Sequence, residues 1–124
     1  MPALPTHQVA PTTRVMTLAL EGEIGQDEFI DVAQQLFKLV HRGVVRVVLD
    51  FTDVGHLDYR LVRPLIARAE LLRRAGGDLK IAGLSPYRYA IFRSAGAHDA
   101  FDYFALPQDA AKAFDGGLFL AQSA

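Results

Sequence analysis

Residues 44–51 read Val-Val-Arg-Val-Val-Leu-Asp-Phe, and no other stretch restricts the fold as strongly. β-branched side chains are stiff at χ1 and suit an extended backbone. With a single charge before its end, the run is apolar on both faces. Such a strand needs cover on both sides, which is the situation of a central strand in a sheet packed against helices.

The flanking segments are suited to supply that cover. Gln26 or Asp27 can cap a helix in which Phe29, Ala33, Leu36, Phe37 and Val40 recur at three and four, ending at Gly43. Residues 61–75 place Leu61, Leu65, Ala69 and Leu72 on one face, with Arg60, Arg68, Arg73 and Arg74 elsewhere; Gly76 and Gly77 stop this second helix. Strands are expected over 14–20, 79–82 and 101–106, with a short one near residues 7–10. Gly22 and Gly25 bracket a turn, and a loop containing Gly55 comes after the core strand. Further helices are expected over 87–95, closed by Gly96, and over 108–114, with Pro107 at the first helical position.

Strands separated by helices imply right-handed crossovers. The expected architecture is therefore α/β: a single domain over 14–115 with a mixed, largely parallel sheet of four to five strands and about four helices. An irregular segment over 1–13 precedes it and a frayed tail over 116–124 ends the chain. At 124 residues the chain is long enough to bury one sizeable core without a cofactor.

Composition removes several function classes. Thirteen Lys and Arg against fourteen Asp and Glu give a net charge of −1, so there is no positive excess to neutralise nucleic-acid phosphates. The absence of cysteine excludes disulfides, thiol catalysis and thiolate metal sites, and fits a cytoplasmic setting. The first fifteen residues lack the basic start and apolar run of a secretion signal, and no apolar run approaches bilayer length, so direct membrane insertion is not expected.

Motifs for enzymatic chemistry are also missing. Neither a Walker-type nor a dinucleotide-binding glycine loop occurs. Asp50 ends the core strand where a receiver domain carries its phospho-accepting aspartate. The acidic pair such a site needs is not evident, however, and Lys80 falls inside a strand rather than beyond it. His7, His41, His56 and His98 lack the i, i+4 pairing of a helical zinc site, and Ser85 and Ser94 have no partnered histidine at a recognisable spacing. No catalytic residue, metal or cofactor is assigned. The polar residues that cluster between the core strand and the second helix are His56, Asp58, Tyr59, Arg60 and, one turn on, Arg63.

The segment VVRVVLDFTDVGHLDYRLVRPLIARAELLRRAGGDLKIAGLSP resembles the heart of a STAS domain, the fold of anti-sigma-factor antagonists. The pattern comprises a buried strand ending in Asp50-Phe51-Thr52, a short apolar loop with Val54 and Leu57, Asp58, a long helix, a glycine stop and another strand. The resemblance extends over residues 15–114. It implies a non-enzymatic protein-binding module of bacterial partner-switching regulation, in which a kinase-type anti-sigma factor phosphorylates a Ser or Thr directly after the Asp that matches Asp58.

Here that acceptor position is Tyr59, followed by Arg60 and Leu61 where the family commonly has Ser or Thr and then Gly. A tyrosine oxygen lies several ångströms farther from the backbone than a serine oxygen, out of reach of Ser/Thr kinase geometry. Stressosome-type relatives carry a second acceptor Thr in the helix after the Gly-x-x-Pro turn; this chain has none there, only Ser94 near the helix end. Pro64 further implies that the second helix starts at Arg60 or beyond, which leaves residues 58–60 exposed. Tyr and Arg are enriched in interface hot spots. The expected partner-binding set is thus His56, Asp58, Tyr59, Arg60 and Arg63, facing an anti-sigma factor or scaffold. Two alternatives stand beside this reading: an accessory subunit of a membrane lipid-transport ATPase, and a small-molecule sensor. A homodimer is compatible with any of them.

Overall fold

The computed structural model describes residues 13–115. The strand expected near residues 7–10 and the tail over 116–124 lie outside them. In chain order the elements are β1 (Val15–Ile24), α1 (Gln26–His41), β2 (Arg46–Leu57), a 3-10 turn (Tyr59–Leu61), α2 (Val62–Arg74), β3 (Asp78–Ala82), α3 (Pro86–Ser94), β4 (Tyr103–Phe104) and α4 (Pro107–Ala113). The described strands form one sheet in the order β1-β2-β3-β4, and every pairing is parallel.

β2 is the central strand that its composition required. Val47, Val48 and Leu49 have no exposed surface. Val47, Leu49 and Phe51 enter the larger core with residues of α1, α2 and α3, whereas Val48 and Ala82 meet Ala110 of α4 on the opposite face. Removing each of these valine, leucine and phenylalanine side chains from water contributes about 1.5–3 kcal/mol. Leu61, Leu65, Ala69 and Leu72 are all buried, as their spacing predicts. In α1 the inward face is rotated from the expected one: Val32, Leu36 and Leu39 are buried, whereas Phe37 is 66% exposed.

Both strands that lead to the candidate site run farther than the sequence indicated. β1 passes through the expected Gly22 turn to Ile24, and β2 passes through the expected Gly55 loop to Leu57. Two bulges accompany this extension. Between Ala19 and Glu21 the partner strand advances from Asp50 to Asp53, and between Gly22 and Glu23 it advances from Val54 to His56. Each bulge gives β2 one extra residue, which bends the strand and re-aims the side chains beyond it. The first lies where β3 stops pairing, at Asp50 opposite Ala82. There the Asp50 Oδ1 accepts from the Thr52 amide at 3.0 Å and from its hydroxyl at 2.5 Å. The Asp-x-Thr signature is therefore a local hydrogen-bonding device for the bulged backbone, and Asp50 is engaged structurally.

Candidate functional site

Past the bulges, the ends of β1 and β2 open into a groove of about 1390 Å³. Its walls come from the start of α1, the 3-10 turn with the first turn of α2, and one side of α3. The carboxyl ends of parallel strands are where open α/β sheets place ligands, because helices diverge there and loops can be shaped freely. His56, Asp58, Tyr59, Arg60 and Arg63 all line this groove, so the five residues expected from the sequence are brought together.

Asp58 organises the turn. Its backbone N–H donates to the Ile24 carbonyl at 3.1 Å, tying the end of β2 to the end of β1. Its Oδ1 accepts from the Arg60 amide at 3.0 Å, capping the 3-10 turn. The same carboxylate receives the Arg60 guanidinium, Nε to Oδ1 at 3.1 Å and Nη2 to Oδ2 at 2.9 Å. Side-chain hydrogen bonding from Arg60, then the bond from its amide, holds the Asp58 carboxyl below its ordinary 3.8, and the pairing raises Arg60 in turn.

Because the 3-10 turn precedes α2, Pro64 falls in the first turn of that helix, where a missing N–H leaves no bond unmade. The helix-start expectation thus holds, and residues 59–61 take a single tight turn. Tyr59 projects from it with 65% of its surface exposed.

Two groups of α3 that were not singled out from the sequence bear on the site, Tyr87 by lining it and Arg88 by holding α3 in place. Tyr87, 72% exposed, stands at the groove's other wall with Ile91. Arg88 donates to the Ser85 hydroxyl and reaches the Gly55 carbonyl, clipping α3 to the bulged end of β2. A helix start at Ser85 was the available signal: its hydroxyl accepts from the Arg88 amide, which fixes Pro86 and Tyr87 in the first turn.

Among the described residues no three His, Asp or Glu side chains gather as a metal set. Lys80 sits within β3, as expected, with its Nζ 2.7 Å from Asp102, 3.6 Å from Asp78 and 4.7 Å from the Phe114 ring centroid, so its charge is engaged by structural partners. What the groove offers is contact: an apolar floor of Ile24, Leu57 and Ile91, exposed aromatics and fixed charges.

Among the described residues, a four-stranded parallel sheet with helices on both faces and a groove at the β2-to-α2 turn defines a small α/β domain. The chain belongs to the STAS domain family: residues 7–107 match the family model described as "Mlab, STAS domain". Among solved structures it is similar to that of the anti-sigma factor antagonist SpoIIAA in its unphosphorylated form, with a TM-score of 0.72 over 85% of this chain and 91% of that one. The two sequences are 17% identical, so this likeness establishes the fold. Comparison with curated protein sequences gives no match.

Proposed function

We propose that this chain is a non-enzymatic, cytoplasmic STAS module of bacterial partner-switching regulation. It binds an anti-sigma factor or a scaffold through the groove, and Ser/Thr phosphorylation does not control the contact. One observation carries the reading: the residue directly after Asp58 is a tyrosine, 65% exposed and set beside the Asp58–Arg60 clasp. Tyrosine presents a large, stiff, amphipathic surface at low entropic cost, the character of an interface anchor. The neighbouring arginine is already folded onto Asp58, so the turn is ordered before a partner arrives, which lowers the cost of binding.

Incubating the purified chain with a kinase-type anti-sigma factor and ATP is expected to leave its intact mass unchanged while a complex forms. A stoichiometric phosphate would overturn the unswitched contact. Capture of a transporter ATPase subunit through the same groove, with no binding to anti-sigma factors, would move the function to the lipid-transport alternative.

A further inference from the structure

Most charges in the groove are answered within it. Asp58 and Arg60 neutralise each other, and the Glu28 carboxylate accepts from the Gly25 amide at 2.9 Å at the start of α1. Glu23, at the end of β1, and Arg63, in the first turn of α2, are different. Both are exposed, both line the groove, and the side chain of neither forms a hydrogen bond or an ion pair with another described residue. Apolar Ile24, Leu57 and Ile91 lie in the same groove, and Tyr59 and Tyr87 stand out from it.

A surface bearing one unanswered acid, one unanswered base, an apolar hollow and projecting aromatic groups is complementary to itself. Under a two-fold rotation residue i meets j and j meets i, so a single acid–base couple is satisfied twice. A net charge of −1 places no long-range repulsion between copies. We infer that the occupant of this groove is a second copy of the same chain, docked groove to groove through reciprocal Glu23–Arg63 pairs. The contact covers Tyr59, so self-association competes with any other partner at that residue. The inference takes only that last consequence from the proposed function; the docking itself rests on the groove. A contact confined to this groove belongs to the weak, transient class of interfaces.

Sedimentation equilibrium of the purified full chain, from about 10 μM to about 1 mM, reads the association directly in the range of a weak complex. The weight-average mass is expected to climb from 13.6 kDa toward twice that value, and to climb less at high salt because the paired charges lie at a wet rim. Arg63→Glu and Glu23→Arg, each alone, are expected to weaken association at least tenfold, since like charges then face each other. An equimolar mixture of the two variants is expected to associate again, because one chain then carries both acids and the other both bases. Both sites are exposed, and a carboxylate in the first turn of α2 suits the helix dipole, so thermal melts should confirm that the variants stay folded. A wild-type chain that remains monomeric throughout, an Arg63→Glu chain that associates like wild type, or a mixture that fails to associate overturns the inference. No other protein is present in this measurement. Loss of the proposed partner function therefore leaves the result untouched, and a monomeric chain that still binds a partner through Tyr59 removes only this inference.

Discussion

The Arg60 guanidinium closes on the Asp58 carboxylate through two nitrogens, Nε to Oδ1 at 3.1 Å and Nη2 to Oδ2 at 2.9 Å. Two residues apart on a single turn, they fix the backbone from which Tyr59 projects. The Asp58 carboxylate is thereby engaged within its own chain.

That pairing is testable by titration. Asp58 lies below its ordinary 3.8 because Arg60 donates to its charged form. A depressed carboxyl pKa means that the stabilisation is present above 3.8 and is lost as pH falls through the lowered value. Arg60→Ala should therefore move the Asp58 carboxyl, followed by carbon-detected NMR, back up toward 3.8. Stability at neutral pH should hardly change, since exposed pairs contribute little. An Asp58 titration unmoved by the substitution would show that the clasp is not formed in solution.

Tyr59→Ala separates binding from folding. With 65% of its surface in water, Tyr59 contributes little to the core, and its removal should leave the unfolding midpoint within experimental scatter. As an interface anchor it should cost about 2 kcal/mol of partner affinity, roughly thirtyfold. Calorimetric titration with the captured partner measures this, and an affinity unchanged by the substitution would move the contact away from the turn.

The parts of the fold legible in the sequence are those governed by simple periods. The Leu61, Leu65, Ala69 and Leu72 stripe and the apolar core strand need no tertiary information, and both are buried as read. β2 beyond Asp50 escapes such a reading because its bulges spoil the period. Leu49, Phe51, Val54 and Leu57 are buried at spacings of two, three and three, matching neither strand nor helix. In α1 the apolar residues cover more than one face, so periodicity alone places Phe37 inward at the expense of Val32 and Leu39. The five residues expected from the sequence line one groove because they are close along the chain, at the turn between the core strand and the second helix. Tyr87 is not legible in this way, because its place on the opposite wall of the groove depends entirely on how α3 packs across the end of the sheet.

Gly77 tests the approach of the α2–β3 connection to β2. A Cβ there would lie 1.8 Å from the Val45 carbonyl oxygen and 2.4 Å from its carbon, with backbone rather than a flexible side chain on the other side. Gly77→Ala should destabilise by about 3 kcal/mol, since Asp78 donates to the same Val45 carbonyl and the strands cannot part without losing that bond. Gly55→Ala is the control. Its Cβ would meet only the Gly22 oxygen at 3.8 Å, and the change should be neutral or stabilising by a few tenths of a kcal/mol. Equal losses in urea unfolding would refute the close approach.

Tyr103 predicts an alkaline limit to stability. Its ring packs edge-on against Tyr89, Phe92 and Phe101, and its hydroxyl donates to the Ala97 carbonyl. Burial, with smaller contributions from Tyr89 and Asp99, pushes the phenol well above its ordinary 10.0. The native state then keeps a proton that the unfolded chain releases above about pH 10, so the unfolded state binds fewer protons and stability falls as pH rises through that window. Tyr103→Phe removes the titrating group together with its hydrogen bond. It should cost about 1 kcal/mol at neutral pH, and the variant should then decline less steeply than wild type above about pH 10. Urea unfolding at about pH 8 and about pH 11 measures both effects. Parallel declines of the two proteins would mean that Tyr103 titrates as a solvent-exposed tyrosine and that its bond to Ala97 does not persist.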